Sequence, residues 1–160
     1  MTLRGLQETA PIRAKKRRSP KTHPTRELIQ MRYEELRPRQ LDAIIEECPF
    51  AIIPWGAHEW HGLQNPVGLD TIKAYNMALD LAREVGGVVL PPVYCGYQTM
   101  KPYKEFRHTL EFSREIVYSL ALNYLDQLHD EGFRVILIIM GHYGGAHVET
   151  IQEAVQRFNI

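Results

Sequence analysis

Beyond residue 50, short apolar runs alternate with amphipathic stretches, and this alternation predicts the secondary structure. The runs predicted as strands cover residues 50–54, 88–90 and 134–140, and the first of them is typical of a strand buried on both faces. The amphipathic stretches predicted as helices cover about residues 70–85, 112–130 and 147–158. Strands that alternate with helices predict an α/β fold whose mainly parallel sheet is joined by right-handed crossovers.

Helix boundaries follow from a few marker residues. Residues 28–48 have helical apolar spacing, and Pro38 is expected to start a second helix within them. Asp70 is a favoured N-cap residue for the helix over 70–85. The helix over 112–130 is expected to bury one apolar stripe with a second beside it: Ile116, Leu120, Tyr124 and Leu128, then Val117, Ala121 and Leu125. The connection over 93–111 is polar and aromatic, which predicts a mobile surface over a site.

Charge divides the chain into two parts. Residues 1–26 carry eight Lys/Arg and one Glu, a balance of +7, so the remaining residues 27–160 carry −7. This basic segment is poor in apolar residues and is expected to be a disordered leader, with the folded domain over 27–160. Nucleic-acid contact or a targeting role for the leader is a less favoured alternative.

Several classes of protein are excluded or disfavoured by composition. No apolar segment follows the basic residues, which argues against a secretory signal, and no run approaches ~18 apolar residues, so no membrane-spanning helix is expected. Cys48 and Cys95 are too few for a disulfide framework and form no CxxC pair. We therefore expect both thiols to be reduced, in a cytoplasmic setting.

Four side chains with metal-binding chemistry follow the predicted strands. Glu59 and His61 lie two residues apart in the loop after the first strand, Asp70 begins the next helix, and His142 follows the third strand. Imidazole nitrogen and carboxylate oxygen are the ligands that divalent metals such as Zn²⁺ and Mn²⁺ accept. In open α/β sheets, sites collect at this edge of the sheet, so the four residues are candidate metal ligands.

Each of these residues also has a structural interpretation. Glu-x-His is a short and common pattern, and Asp70 has an alternative role as a helix cap, which does not exclude metal binding. The glycines of the turn over 141–145 would let a ligand or metal approach the backbone, but such turns also bind phosphate without metal. The turn lacks the Lys-Ser/Thr of a P-loop, and no Gly-x-Ser-x-Gly elbow is present, so nucleotide binding and nucleophilic hydrolysis are disfavoured. His108 and His147 are candidate catalytic residues only because they lie near the site in sequence.

Two motifs resemble a known family. IPWGAHEWHG at 53–62, followed by GLDT at 68–71, resembles the Pro-x-Gly-x-x-Glu-x-His-Gly and Gly-x-Asp-Thr signature of the creatininase (creatinine amidohydrolase) family. Gly141-His142-Tyr143 is similar to that family's Asn-Gly-His motif. Residues 106–110 stand where members often carry Phe-Pro-Gly-Thr, and residues 31–36 resemble the usual start. The resemblance covers about residues 30–160.

The resemblance implies a three-layer α/β/α domain with a two-metal site of Zn²⁺, Mn²⁺ or Fe²⁺. It implies a hydrolase that cleaves non-peptide C–N bonds, here in a small cyclic or formyl amide, and a homo-oligomer, commonly a hexamer. By the same resemblance, Glu59 and His142 would bind one metal, His61 the other, and Asp70 would bridge the two. Two such cations can share a hydroxide and polarise a carbonyl.

The chain also departs from the family's pattern. Creatininases have Glu two residues after the motif histidine, where this chain has Gly144, so the second metal lacks a carboxylate unless Glu149 or a residue beyond Ile160 supplies it. Met140 replaces the usual Asn, and His108 replaces a Gly. Members are longer, so the chain is expected to lack a C-terminal part. The alternative function is therefore a non-catalytic or degenerate member that acts as a binding or assembly subunit.

Overall fold

A computed structural model describes residues 31–159 of the chain, so the predicted leader over 1–26 lies outside the described residues. A single 3-10 turn, Tyr33–Glu35, precedes the regular elements. In chain order these are α1 (Pro38–Glu47), β1 (Phe50–Trp55), α2 (Leu69–Val85), β2 (Val88–Val89), α3 (Arg114–Asp130), β3 (Val135–Met140) and α4 (Gly145–Phe158). Within residues 31–159, none of the helices has both the length and the apolar character to cross a membrane.

The three strands form one parallel sheet, as the alternating pattern predicts, and their order in the sheet is β2-β1-β3. Phe50 pairs with Val135 at the start of the central ladder, and Trp55 pairs with Met140 at its end. The chain therefore leaves β1 and β3 side by side. This register brings the segments that follow the two strands to the same edge of the sheet.

Helices cover both faces of the sheet, which confirms the predicted three-layer α/β/α architecture. On one face, Ile53 and Trp55 of β1 pack with Val117 of α3 and Ile151 of α4. On the other face, Ile52 packs against α2. Because successive side chains of a strand point to opposite faces, the apolar run of β1 supplies both halves of the core.

Two predicted burial patterns are wrong. β3 was expected to be a buried strand, but Val135 is 57% and Leu137 38% exposed. β3 is an edge strand of the described sheet, so one side of its backbone has no neighbouring strand there. In α3 the buried residues are Val117, Ala121, Leu125 and Leu128, whereas Ile116 is half exposed, so the buried face is centred on the second of the two predicted stripes.

The segment before Pro38 also differs from its prediction. Pro38 begins α1 as expected, but the described residues preceding it do not continue the predicted helix. The Met31 carbonyl accepts a hydrogen bond from the Val89 amide at 2.7 Å, and Arg32 forms a parallel bridge with Val89. This backbone pairing with the edge of β2 replaces the helical hydrogen bonds.

Candidate metal centre

Two glycines allow α2 to begin directly against the ends of β1 and β3. A Cβ atom on Gly141 would overlap the Asp70 carbonyl oxygen, and one on Gly56 would overlap the Thr71 backbone nitrogen. These glycines therefore permit close approach of the helix. The first turn of α2 consequently places Asp70 beside His142, the residue that follows Gly141.

Glu59, Asp70 and His142 form a buried cluster whose potential ligand atoms all lie within 4.8 Å of one another. The His142 Nδ1 atom lies 2.9 Å from Glu59 Oε2 and 3.4 Å from Asp70 Oδ2. On the opposite side, His61 Nε2 lies 3.2 Å from Asp70 Oδ1. The structure thus brings together all four candidate ligands, and the two oxygens of Asp70 face different imidazoles.

Backbone carbonyls orient both imidazoles. His142 Nε2 lies 3.0 Å from the Tyr97 carbonyl oxygen, and His61 Nδ1 lies 3.0 Å from the Glu59 carbonyl oxygen. A carbonyl can only accept, so each ring donates a proton from this nitrogen. In a neutral ring the other nitrogen, His142 Nδ1 or His61 Nε2, then faces the carboxylates and is the one that could bind a cation placed between them. Metal-ligating histidines are typically held by a carbonyl in this way.

The charge of the cluster also fits a cation. Glu59 and Asp70 are buried, and across residues 31–159 their only ion-pair partners are His61 and His142, with no Lys or Arg. Burial alone lowers the pKa of His142, but hydrogen bonds to Asp70 and Tyr97 and the charges of Glu59 and Asp70 raise this pKa on balance. Two buried carboxylates need a compensating positive charge. A divalent cation would supply it, and the donor set suits Zn²⁺, Mn²⁺ or Fe²⁺.

The interpretation of Asp70 as a helix cap is wrong. The N-cap of α2 is Gly68, which makes no side-chain capping bond, and Asp70 is the second residue of the helix. Its carboxylate instead faces His61 and His142. A residue that could cap its own helix is used to join two loops, which strengthens its interpretation as a ligand.

Sequence reasoning missed a segment that holds two of these ligands, residues 97–100, which we call the site turn. The Tyr97 carbonyl accepts the His142 hydrogen bond, and the Met100 amide donates to Glu59 Oε1 at 2.7 Å. The turn contributes backbone groups to the site, and no residue pattern marks such groups. The expectation of a mobile surface therefore overlooked the part of this connection that is bonded to the cluster.

The two candidate catalytic histidines have different surroundings. His147 is fully buried, its ring centre lies 5.0 Å from that of His142, and its Nδ1 accepts the Tyr97 amide at 3.3 Å. Burial and then the proximity of His142 lower its pKa to about 4, so the ring is neutral at pH 7. His108 is exposed, with a positive φ of 64°, and no hydrogen bond or ion pair between described residues joins it to the cluster. Catalytic roles for both stay predictions.

The missing carboxylate is not replaced within the cluster. A Cβ atom on Gly144 would lie 2.7 Å from the Gln98 carbonyl oxygen and 3.0 Å from His142 Nε2, so the site turn fills the space a side chain would need. Glu149 is exposed and does not belong to the cluster of ligand atoms. Among the described residues, the Asp70–His61 side therefore has two protein ligands.

The chain is similar to one protein family in sequence and to several solved structures in fold. Residues 34–160 match the family described as creatininase, creatinine amidohydrolase. A crystal structure of creatinine amidohydrolase has a TM-score of 0.69 at 22% identity, over 79% of this chain and 51% of the other. A manganese form of creatininase, also at 0.69, is 21% identical over 79% and 52%, and a variant described as the Zn-Zn type scores 0.68 at the same identity and coverage. The chain spans about half the length of these structures, and no curated protein matches it.

Proposed function

Because this chain belongs to the creatininase family, we propose that it carries the metal centre of a hydrolase for non-peptide C–N bonds. The proposed substrate is a small cyclic or formyl amide. The observation that carries the proposal is the buried cluster of Glu59, Asp70 and His142, with Asp70 between two imidazoles that are each oriented by a backbone carbonyl.

We assign one metal position to Glu59, His142 and Oδ2 of Asp70, and a second to His61 and Oδ1 of Asp70. Divalent cations at such positions lower the pKa of a bound water and polarise an amide carbonyl. The Mn and Zn forms of the similar structures support the choice of metal.

The two proposed metal positions differ in how firmly their ligands are held and in how exposed they are. Glu59 is held by the Met100 amide and His142 by the Tyr97 carbonyl, so the first position is oriented and shielded from water. His61 is the most exposed of the four ligands, with 29% of its side chain accessible. We infer that the amide enters from the His61 side. Proton donation to the leaving nitrogen is assigned to His147 or His108.

Metal content tests this proposal directly. We expect protein purified without chelator to hold at least one divalent ion per chain by plasma mass spectrometry, and Asp70→Asn to lose it. Asp80→Asn is the matched control, since Asp80 lies on the same helix and, within residues 31–159, its only ion-pair partner is Arg83 at the surface. Metal content unchanged in Asp70→Asn would contradict the proposal. With metal present, hydrolysis of a panel of formamides and cyclic amides tests the reaction.

A second candidate function is supported by Gly144. Because this position cannot carry a side chain next to Gln98, the second metal lacks the family's carboxylate. A chain with one weakly held ion could serve as a binding or assembly subunit and would hydrolyse none of the amides in the panel. Turnover that disappears in Asp70→Asn would exclude this alternative.

The assembly and setting of the chain are also proposed. We propose a homo-oligomer, with light scattering of the purified chain as its test. Cys48 and Cys95 are both free thiols, which supports the reducing, cytoplasmic setting expected from the sequence.

A further inference from the structure

The polar groups of the site turn, residues 97–100, form hydrogen bonds to residues of the surrounding loops and helix. Tyr97 contacts two histidines, through its carbonyl to His142 and through its amide to His147. The Met100 amide binds Glu59. Gln98 Oε1 accepts the Ala146 amide at 2.6 Å, which caps the first turn of α4. One short segment is therefore bonded to ligands that come from two different loops.

The outer side of the same turn is held by one carboxylate. Glu111 Oε1 accepts the Gln98 amide at 2.9 Å, and its Oε2 accepts the Thr99 amide at 2.7 Å and the Thr99 hydroxyl. Gln98 has a φ of 58°, a left-handed conformation that side-chain-bearing residues adopt only when their surroundings impose it. Glu111 accepts the amides on both sides of the Gln98 Cα atom and so fixes this conformation.

We propose that Glu111 is a positioning residue of the metal centre, acting through the site turn. By holding Gln98 and Thr99, it keeps the Tyr97 carbonyl aligned with His142 and the Met100 amide aligned with Glu59. The proposal rests on the proposed function, because it assumes that Glu59 and His142 bind metal. Partners that hydrogen-bond to metal ligands typically contribute 10–100-fold in metal affinity.

Glu111 can be altered without removing core packing, because its side chain is exposed. Glutamine has the same shape but only one acceptor oxygen, and its NH₂ group would face either the Gln98 or the Thr99 amide. Glu111→Gln therefore removes one of the two hydrogen bonds to the backbone amides. In its place, the new NH₂ group faces an amide N–H, and neither of these donors has an acceptor. Glu105→Gln is the matched control, because Glu105 is exposed in the same connection and its side chain makes no hydrogen bond to any of residues 31–159.

The experiment uses Co²⁺ as the probe on the whole chain. Co²⁺ affinity is measured by competition with a chromophoric chelator, and the visible spectrum of the Co²⁺ form reports ligand geometry. Hydrogen exchange of the Gln98, Thr99 and Met100 amides is measured without metal. For Glu111→Gln we expect roughly tenfold weaker Co²⁺ binding, an altered spectrum, faster exchange at these amides, and a Tm within about 2 °C of the unmodified chain. Glu105→Gln is expected to match the unmodified chain in every measurement.

The outcomes separate this inference from the proposed function. If the unmodified chain binds Co²⁺ and Glu111→Gln binds it equally well, the positioning role is overturned while the metal centre stands. If the unmodified chain binds no Co²⁺, the metal centre itself is overturned, and the exchange data alone then show whether Glu111 holds the turn. Should Glu111→Gln fail to fold, Thr99→Val removes the hydroxyl and its bonds to Glu111, to the Leu110 carbonyl and to the Lys101 amide, but keeps both backbone amide bonds to Glu111. About threefold weaker Co²⁺ binding is expected. Unchanged affinity in that variant would also contradict the proposal.

Discussion

The two sides of Asp70 differ although they share one carboxylate. On the inner side, Oδ2 faces His142 next to Glu59, and the His142 side chain is only 4% exposed. On the outer side, Oδ1 faces His61, which is 29% exposed and has no second carboxylate beside it in residues 31–159. The inner side offers a cation three protein ligands in a dry environment, and the outer side offers two. We therefore expect one firmly held ion and one whose binding depends on further ligands.

The strongest test of this comparison removes one imidazole at a time. His142→Ala deletes an inner ligand and leaves Glu59 and Asp70 as neighbouring buried charges, so we expect loss of measurable binding of the first ion. His61→Ala leaves the inner ligands intact, and the affinity for the first ion should fall by less than about tenfold, the lower bound for partners of metal ligands. Isothermal titration calorimetry with Mn²⁺ measures the affinity of both variants. Equal losses in the two variants would mean that the sides are not distinct.

Gly141→Ala should damage the inner side through the backbone. The added Cβ would overlap the Asp70 carbonyl, so the first turn of α2 must move away from β3. We expect the free energy of unfolding to fall by about 3 kcal/mol, as for strong overpacking, and the first ion to be lost. Urea denaturation and the Mn²⁺ titration measure the two effects. The control is Gly145→Ala, whose Cβ would meet its nearest neighbour, Gln98 Oε1, at an ordinary 3.8 Å. Equal stability of the two variants would contradict this explanation.

The positions of the ligands along the chain were predictable, because they follow apolar strands that parallel pairing brings together. Because Trp55 pairs with Met140 at the ends of β1 and β3, the loops that carry Glu59 and His142 begin at the same edge of the sheet. The direction of a side chain was not predictable in the same way. In the sequence, Asp70 looks like the cap of a predicted helix. Only the packing of α2 against Gly141 places this residue in the first turn and turns its carboxylate to the imidazoles.

Other features depend on tertiary contacts that leave no pattern in the sequence. The site turn contributes backbone amides and carbonyls, which every residue has, so no motif marks Tyr97 or Met100. An apolar run such as β3 also looks the same in the centre of a sheet as at its edge, which is why its exposure was misjudged. The missing carboxylate at Gly144 was visible in the sequence, but the occupation of its space by Gln98 was not.

Gly144→Ala tests whether the site turn excludes a side chain there. Its Cβ would press on the Gln98 carbonyl and on His142 Nε2, so the hydrogen bond from His142 to Tyr97 should weaken. We expect about tenfold weaker binding of the first ion and a loss of about 1–2 kcal/mol in stability. Gly144→Glu should not restore a second ion, since the turn occupies the same space. A gain of a second ion in the Mn²⁺ titration of Gly144→Glu would contradict this account.

The smallest effect is expected on the outer side, at Asn65. Its Nδ2 donates to the His61 carbonyl at 2.7 Å and so orders the loop that carries this imidazole. Asn65→Ala removes one hydrogen bond in a half-exposed loop, so binding at the outer position should weaken about threefold while the first ion is unaffected. Electron paramagnetic resonance of Mn²⁺ during a titration separates the two ions. Gln64→Ala is the control, because Gln64 is exposed and its side chain makes no hydrogen bond to another described residue. Weaker binding of the first ion in Asn65→Ala would show that the two sides of Asp70 are coupled through the loop, against the separation inferred from their burial.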